Sequence, residues 1–181
     1  GSIGVTGSSA ANAAAARVLA KLGVELVRAG GAGCCGAISH HLTAPEEAKV
    51  FMRRNIDAWW PHIEAGAEAL VMTASGCGAL VREYGHLLRD DPGYAAKAAR
   101  VSELTRDLSE VLAHEDVRAF ANIGRGRRIA WHSPCTLQHG QKVVGVVERI
   151  LRTAGFELTP VRDSHLCCGS AGTYSLLQKK L

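Results

Sequence analysis

The sequence predicts an α/β fold: two pseudo-repeated strand–helix–strand units, a parallel sheet, and Cys-Cys-Gly turns at the carboxyl ends of strands. Three observations lead there. Short apolar stretches alternate with helical ones, as parallel strands joined by helical crossovers require. The plan of "ANAAAARVLAKLGVELVRAGGAGCCGAIS" returns as "QKVVGVVERILRTAGFELTPVRDSHLCCGSAG". Both copies close on a double cysteine and a glycine, at Cys34-Cys35-Gly36 and Cys167-Cys168-Gly169.

Taken in order, "SIGVT" reads as the first strand and "SSAANAAAARVLAKLG" as a helix closed by Gly23. "VELVRAG" is a second strand, leading into the first double cysteine. "APEEAKVFMRRNIDAWWPHIEAG" is a helix, with Pro45 near its start and Glu46 and Glu47 in its first turn. Trp59 and Trp60 beside Pro61 read as helix-end packing. "ALVMTA" has the continuous apolar run of a buried parallel strand. "GCGALVREYGHLL" and a polar helical stretch through Phe120 follow. "GRGRR" at 124–128 reads as a linker, so the expected units are 1–123 and a truncated 124–181, the second opening with the strand "RIAWHS".

The side-chain pattern supports the repeat. Ala11, Ala15, Val18, Leu19 and Leu22 are spaced as one face of a helix, and Val143, Val147, Ile150, Leu151 and Ala154 repeat that spacing 132 positions later. Arg17 aligns with Arg149, and the double cysteines are displaced by 133. Agreement at this many positions marks an internal repeat.

Adjacent cysteines rarely bridge each other, because the ring formed strains the peptide bond between them. Cys77 in "TASGCGA" and Cys135 in "WHSPCTLQHG" also follow expected strands. Gly76, Gly78, Ser133 and Pro134 suit turns into helix starts, where backbone N–H groups favour thiolate. Ligands of parallel sheets sit beyond the carboxyl ends of strands, and soft sulfur donors select iron–sulfur clusters, zinc or Cu(I). Two thiolates from one turn can bind different irons of a cluster more comfortably than they can circle one ion. The expected ligand sets are Cys34, Cys35 and Cys77, and Cys135, Cys167 and Cys168. His132 and His139 flank Cys135 and could complete a zinc or cluster shell. His40, His41 and His165 read as surface or packing residues. No carboxylate pair stands out as general acid and base, so no catalytic residue is expected.

Composition narrows the classes. Hydrophobic residues make up 47% and charged residues 21%, an ordinary globular balance. The net charge of +4 is modest, and the "GRGRR" cluster has no interleaved aromatics, which excludes nucleic acid as the expected partner. Neither "GAGCCG" nor "GRGRR" carries the fingerprint of a nucleotide site. No apolar run approaches the ~20 residues of a membrane span, and no charged-then-apolar leader opens the chain. The expectation is a cytoplasmic protein whose six cysteines serve metal or redox chemistry.

With 31 residues between Cys135 and Cys167-Cys168-Gly169, the chain resembles the cysteine-rich CCG-domain family along essentially its whole length. The stretches that carry the resemblance are "GAGCCGAISHHL", "TASGCGALVREYGHLL", "IAWHSPCTLQHGQK" and "LCCGSAGTYSLLQ". Their wording is most similar to the C-terminal part of glycolate oxidase iron–sulfur subunits, and the cysteine-rich subunit of heterodisulfide reductase is a related member. The resemblance implies a non-catalytic electron-transfer subunit holding a [4Fe-4S] cluster. It would take electrons from flavin-containing subunits and pass them to a membrane acceptor on the quinone side, which places it in the cytoplasm or peripherally on the inner membrane. A thiol/disulfide enzyme like heterodisulfide reductase and an assembly domain holding structural zinc are the alternatives. The sequence departs from the family pattern in three places. Displacing Cys135 by the repeat lands on Ser2 or Ile3, Leu80 stands where the second cysteine of a distal Cys-x-x-Cys belongs, and Leu181 comes before the second repeat's distal pair. Three thiols per set, and no intact cluster in protein handled in air, are therefore expected.

Overall fold

Parallel strands organise both parts of the chain. The computed structural model describes residues 2–5, 9–167 and 178, with backbone alone at 2–5 and 9. It divides into two units, Gly1–Glu115 and Asp116–Leu181. The first runs β1 (Ser2–Val5), α1 (Ser9–Lys21), β2 (Leu26–Arg28), α2 (Ala37–His41), α3 (Pro45–Glu64), β3 (Ala69–Met72), α4 (Ser75–Arg82), α5 (Tyr84–Leu87), α6 (Ala95–Leu104), β4 (Thr105–Asp107) and α7 (Leu108–His114). Its strands form one sheet of order β2-β1-β3-β4, and every pairing is parallel.

Alanine-rich α1 has high helix propensity, and Gly23, at φ 78°, lets the chain leave it for β2. All four residues of β3 are buried, as a parallel strand covered on both faces must be. Helix α3 starts with Pro45 followed by two glutamates and buries one face, made of Ala48, Met52, Asn55, Ile56 and Trp59. That face packs in one cluster with Leu70 and Met72 of β3, Leu80 and Val81 of α4, Tyr84 of α5, and Ala98 and Val101 of α6. The Trp59 ring stacks on Tyr84, with centroids 6.3 Å apart and planes 16° from parallel.

The stretch read as helical through Phe120 is interrupted by β4. Helix α6 ends at Leu104, the backbone turns extended at Thr105, and Asp107 caps α7. Asp107 Oδ1 accepts from the Ser109 N–H at 2.9 Å while Glu110 accepts from the Asp107 N–H at 2.8 Å, a capping box. Arg82 of α4 pairs with the same glutamate, tying α4 to α7.

The second unit contains a 3₁₀ turn (Val117–Phe120), β5 (Arg128–Ala130), a π-helical turn (Thr136–Gly140), α8 (Val146–Thr153) and β6 (Glu157–Thr159). Strands β5 and β6 are parallel, with Ile129 opposite Leu158. Helix α8 begins only after Gly145, at φ 71°, so Val143 of the repeated stripe precedes it; the side chain is nonetheless buried, and its N–H donates to Leu137 at 3.1 Å. Of the "GRGRR" stretch, Gly124 is buried in this unit and the four residues after it are exposed. The Gly124 N–H donates to Ala154 at 2.8 Å, and a Cβ at Gly124 would collide with Phe156.

These strands set the site. The chain leaving β2 enters Cys34-Cys35 and that leaving β3 enters Cys77; in the second unit Cys135 follows β5 and Cys167 follows β6. Ser2 and Ile3, where a constant displacement would put the counterpart of Cys135, lie inside β1, whereas Cys135 lies five residues past the end of β5. Among the described residues no helix is long and apolar enough to cross a membrane.

Candidate metal centre

Gly36 follows the first double cysteine at φ 89°, ψ 3°, and a Cβ there would stand 3.0 Å from the Ala48 carbonyl oxygen of α3. The left-handed backbone and the close approach each favour glycine. The turn before it is held by side chains. The Gly33 N–H donates to Asn55 Oδ1 at 2.8 Å, and Asn55 Nδ2 donates to the Cys34 carbonyl at 2.9 Å. The Tyr84 hydroxyl donates to the Cys35 carbonyl at 2.7 Å and stands 3.3 Å from Asn55 Nδ2. Arg54 adds a longer bond to the Cys34 carbonyl, at 3.3 Å. Asn55 and Tyr84 are fully buried, and their polar atoms find partners on this turn, as buried polar groups require.

The two sulfurs face different surroundings. Cys34 is exposed, and its Sγ accepts from the Gly36 N–H at 3.5 Å. Cys35 is buried, with the Cys77 thiol as its nearest titratable influence. Cys77 lies in the first turn of α4, half-buried against the same core. The Cys77 contact, then burial, pushes the Cys35 thiol above its usual range, with Cys34 adding to the effect. Burial also raises Tyr84, so its hydroxyl keeps the proton it donates. Leu80, one helical turn beyond Cys77, belongs to the same buried cluster as Cys35. The rings of His40 and His41 meet edge-on at 5.4 Å at the end of α2.

In the second unit Cys135 is half-buried immediately before the π-helical turn. That turn is bonded to the segment preceding Cys167. Gln138 Nε2 donates to the Ser133 and Ser164 carbonyls at 2.9 and 3.0 Å, and His139 Nε2 reaches the His165 carbonyl at 2.8 Å. Just upstream, His132 Nε2 reaches the Leu166 carbonyl at 3.1 Å. A carbonyl only accepts, so each imidazole donates from Nε2. Cys168 lies outside the described residues.

Among the described residues no three His, Cys, Asp or Glu side chains converge on the shell of a single ion. The first unit offers soft sulfurs instead, from one turn and one helix start. Thiols of this kind are the donors that an iron–sulfur cluster takes. Asn55, Tyr84 and Gln138 escape a reading of the cysteine pattern. The available signal was a polar residue on an otherwise apolar helical face, Asn55 among Ala48, Met52, Ile56 and Trp59.

Comparison with known proteins agrees with this chemistry. The family model CCG, described as a cysteine-rich domain, matches residues 3–82 and 129–181. The chain is 56% identical over 170 residues to the glycolate oxidase iron-sulfur subunit of Escherichia coli (strain K12), covering 94% of this chain and 42% of that protein. Lactate utilization protein A of Bacillus licheniformis is 31% identical, with 93% of this chain and 69% of that protein covered. Its namesake from Bacillus velezensis is 34% identical, at 90% and 67%. The chain thus spans less than half of the first relative and about two thirds of the other two.

Proposed function

Because the chain belongs to the cysteine-rich CCG domain family, we propose that it is the electron-transfer part of an iron–sulfur subunit serving a 2-hydroxy-acid oxidase, with glycolate as the substrate of the complex. The observation that carries this reading is the meeting of Cys35 and Cys77 beside Cys34 past the carboxyl ends of β2 and β3. In this role the chain binds no hydroxy acid. Cys34, Cys35 and Cys77 hold one centre of the [4Fe-4S] type, and Cys135, Cys167 and Cys168 hold its pseudo-equivalent. Two features support the equivalence: β1–α1–β2 and β5–α8–β6 are both strand–helix–strand units with parallel pairing, and each runs on into a double cysteine. A bound cluster supplies one-electron storage. The residues around the first set hold its sulfurs, keep Cys35 from solvent and leave Cys34 at the surface, where a partner can approach. A flavin subunit would deliver electrons and a peripheral membrane acceptor would take them.

Reconstitution with ferrous iron and sulfide without oxygen, followed by iron, sulfide and zinc analysis and electron paramagnetic resonance of the reduced protein, tests this. Iron and acid-labile sulfide should bind together. Cys77→Ser should remove the signal of the first unit and spare that of the second. Protein prepared in air should carry no intact cluster, since oxidation consumes unliganded thiols. Zinc without sulfide would overturn the reading, and turnover of a disulfide substrate would move the chain to the thiol/disulfide class.

A further inference from the structure

Asn55 and Tyr84 sit in an apolar core that leucine and phenylalanine would fill equally well. Left without partners, their buried polar atoms would destabilise the fold. Their partners lie on three consecutive residues: the Gly33 N–H, the Cys34 carbonyl and the Cys35 carbonyl. The amide orientation is fixed by chemistry, because the Gly33 N–H can only donate; Oδ1 must face it, and Nδ2 must face Cys34. The turn lies between the end of β2 at Arg28 and the start of α2 at Ala37, where no sheet ladder or helix fixes the backbone. Pinning both carbonyls fixes two successive planar peptides, and with them the directions in which Cys34 and Cys35 project.

We propose that Asn55 and Tyr84 are positioning residues of the first-unit centre, a buried clamp that sets the backbone of the double cysteine and so aims its two sulfurs. The identity of the centre rests on the function proposed above; the clamp itself can be tested without metal.

The 181-residue chain, metal-free and under argon, is exposed briefly to iodoacetamide, and alkylation of Cys35 and Cys135 is followed by peptide mass spectrometry. Tyr84→Phe, which keeps the ring on Trp59, and Asn55→Ala should each speed Cys35 alkylation about tenfold, the equivalent of a lost ~1.4 kcal/mol hydrogen bond. Cys135, in the other unit, should keep its rate. Asn55→Asp keeps the acceptor for Gly33 but loses the donor to Cys34, and should fall between. In reconstituted Tyr84→Phe protein the paramagnetic signal of the first unit should shift at unchanged iron content, which a merely space-filling tyrosine would not cause. A folded Tyr84→Phe protein with the wild-type Cys35 rate overturns the clamp, and so does equal acceleration of Cys135, which marks general loosening. Should Asn55→Ala not fold, Tyr84→Phe and Asn55→Asp decide. Altered Cys35 rates in a protein that takes up no iron would keep the clamp and discard the function. Iron uptake with unaltered rates would do the reverse.

Discussion

Arg53 of α3 donates to Asp91 Oδ2 at 2.7 Å, and the Gly93 N–H donates to Asp91 Oδ1 at 3.0 Å. These bonds, Arg53 first, hold the Asp91 carboxyl below its ordinary value. A carboxyl lowered on folding adds stability above its unfolded pKa of ~3.9 and loses it as pH falls through the folded value. Wild-type protein should therefore melt above Asp91→Asn protein at neutral pH, and the two should converge as pH drops below about 4. Water and salt screen a pair this near the surface, so the gap should be small and shrink further at high ionic strength. Melting curves across acidic pH check the sign, and a gap that widens toward acid contradicts the assignment.

At the scale of elements, strand order carries a consequence for the missing cysteine. Strand β1 lies between β2 and β3, so the chain leaving its carboxyl end starts between the segments that carry Cys34-Cys35 and Cys77. Ser2 is the first residue of β1, at the opposite end, about 10 Å back along a strand rising ~3.3 Å per residue. A cysteine introduced five residues past β1, as Ala10→Cys, should raise iron binding by the first unit, whereas Ser2→Cys should not; iron analysis after anaerobic reconstitution distinguishes them, and the reverse ranking would refute the strand-based placement. The sequence makes Ser2 look right because one displacement aligns the helix stripes, but the segment between strand and helix is longer in the second unit, and a fixed offset slides past that difference. Other features were legible for physical reasons. The buried run Ala69–Met72 announces a parallel strand, and the glycines at 30, 31 and 33 mark the turn that leads from β2 to the first double cysteine. Strand β4 was hidden: it has three residues, and its buried Thr105 satisfies its hydroxyl locally on Val101 at 2.7 Å, so polarity masks burial. Asn55 was hidden differently. Its partners are backbone atoms more than twenty positions away, and no local spacing reveals them.

For the molecule as a whole, each unit builds its own parallel pairing and leads it into cysteines. Within the first unit α3 has a double allegiance: Met52, Ile56 and Trp59 serve the core, while Arg54 and Asn55 serve the cysteine turn. The Gly33 amide is therefore a loop amide fastened to a fully buried acceptor. Gly93 is its counterexample, a loop amide fastened to a carboxylate near the surface. In heavy water the Gly93 deuteron should appear quickly, while Gly33 should hold its proton about as long as the amides of β3, because releasing it requires the opening event that frees the sheet. Rapid exchange at both glycines would show that the turn breathes on its own. Slow exchange at Gly33 makes the lifetime of the thiol arrangement that of the folded unit itself, with no separate clock for the loop.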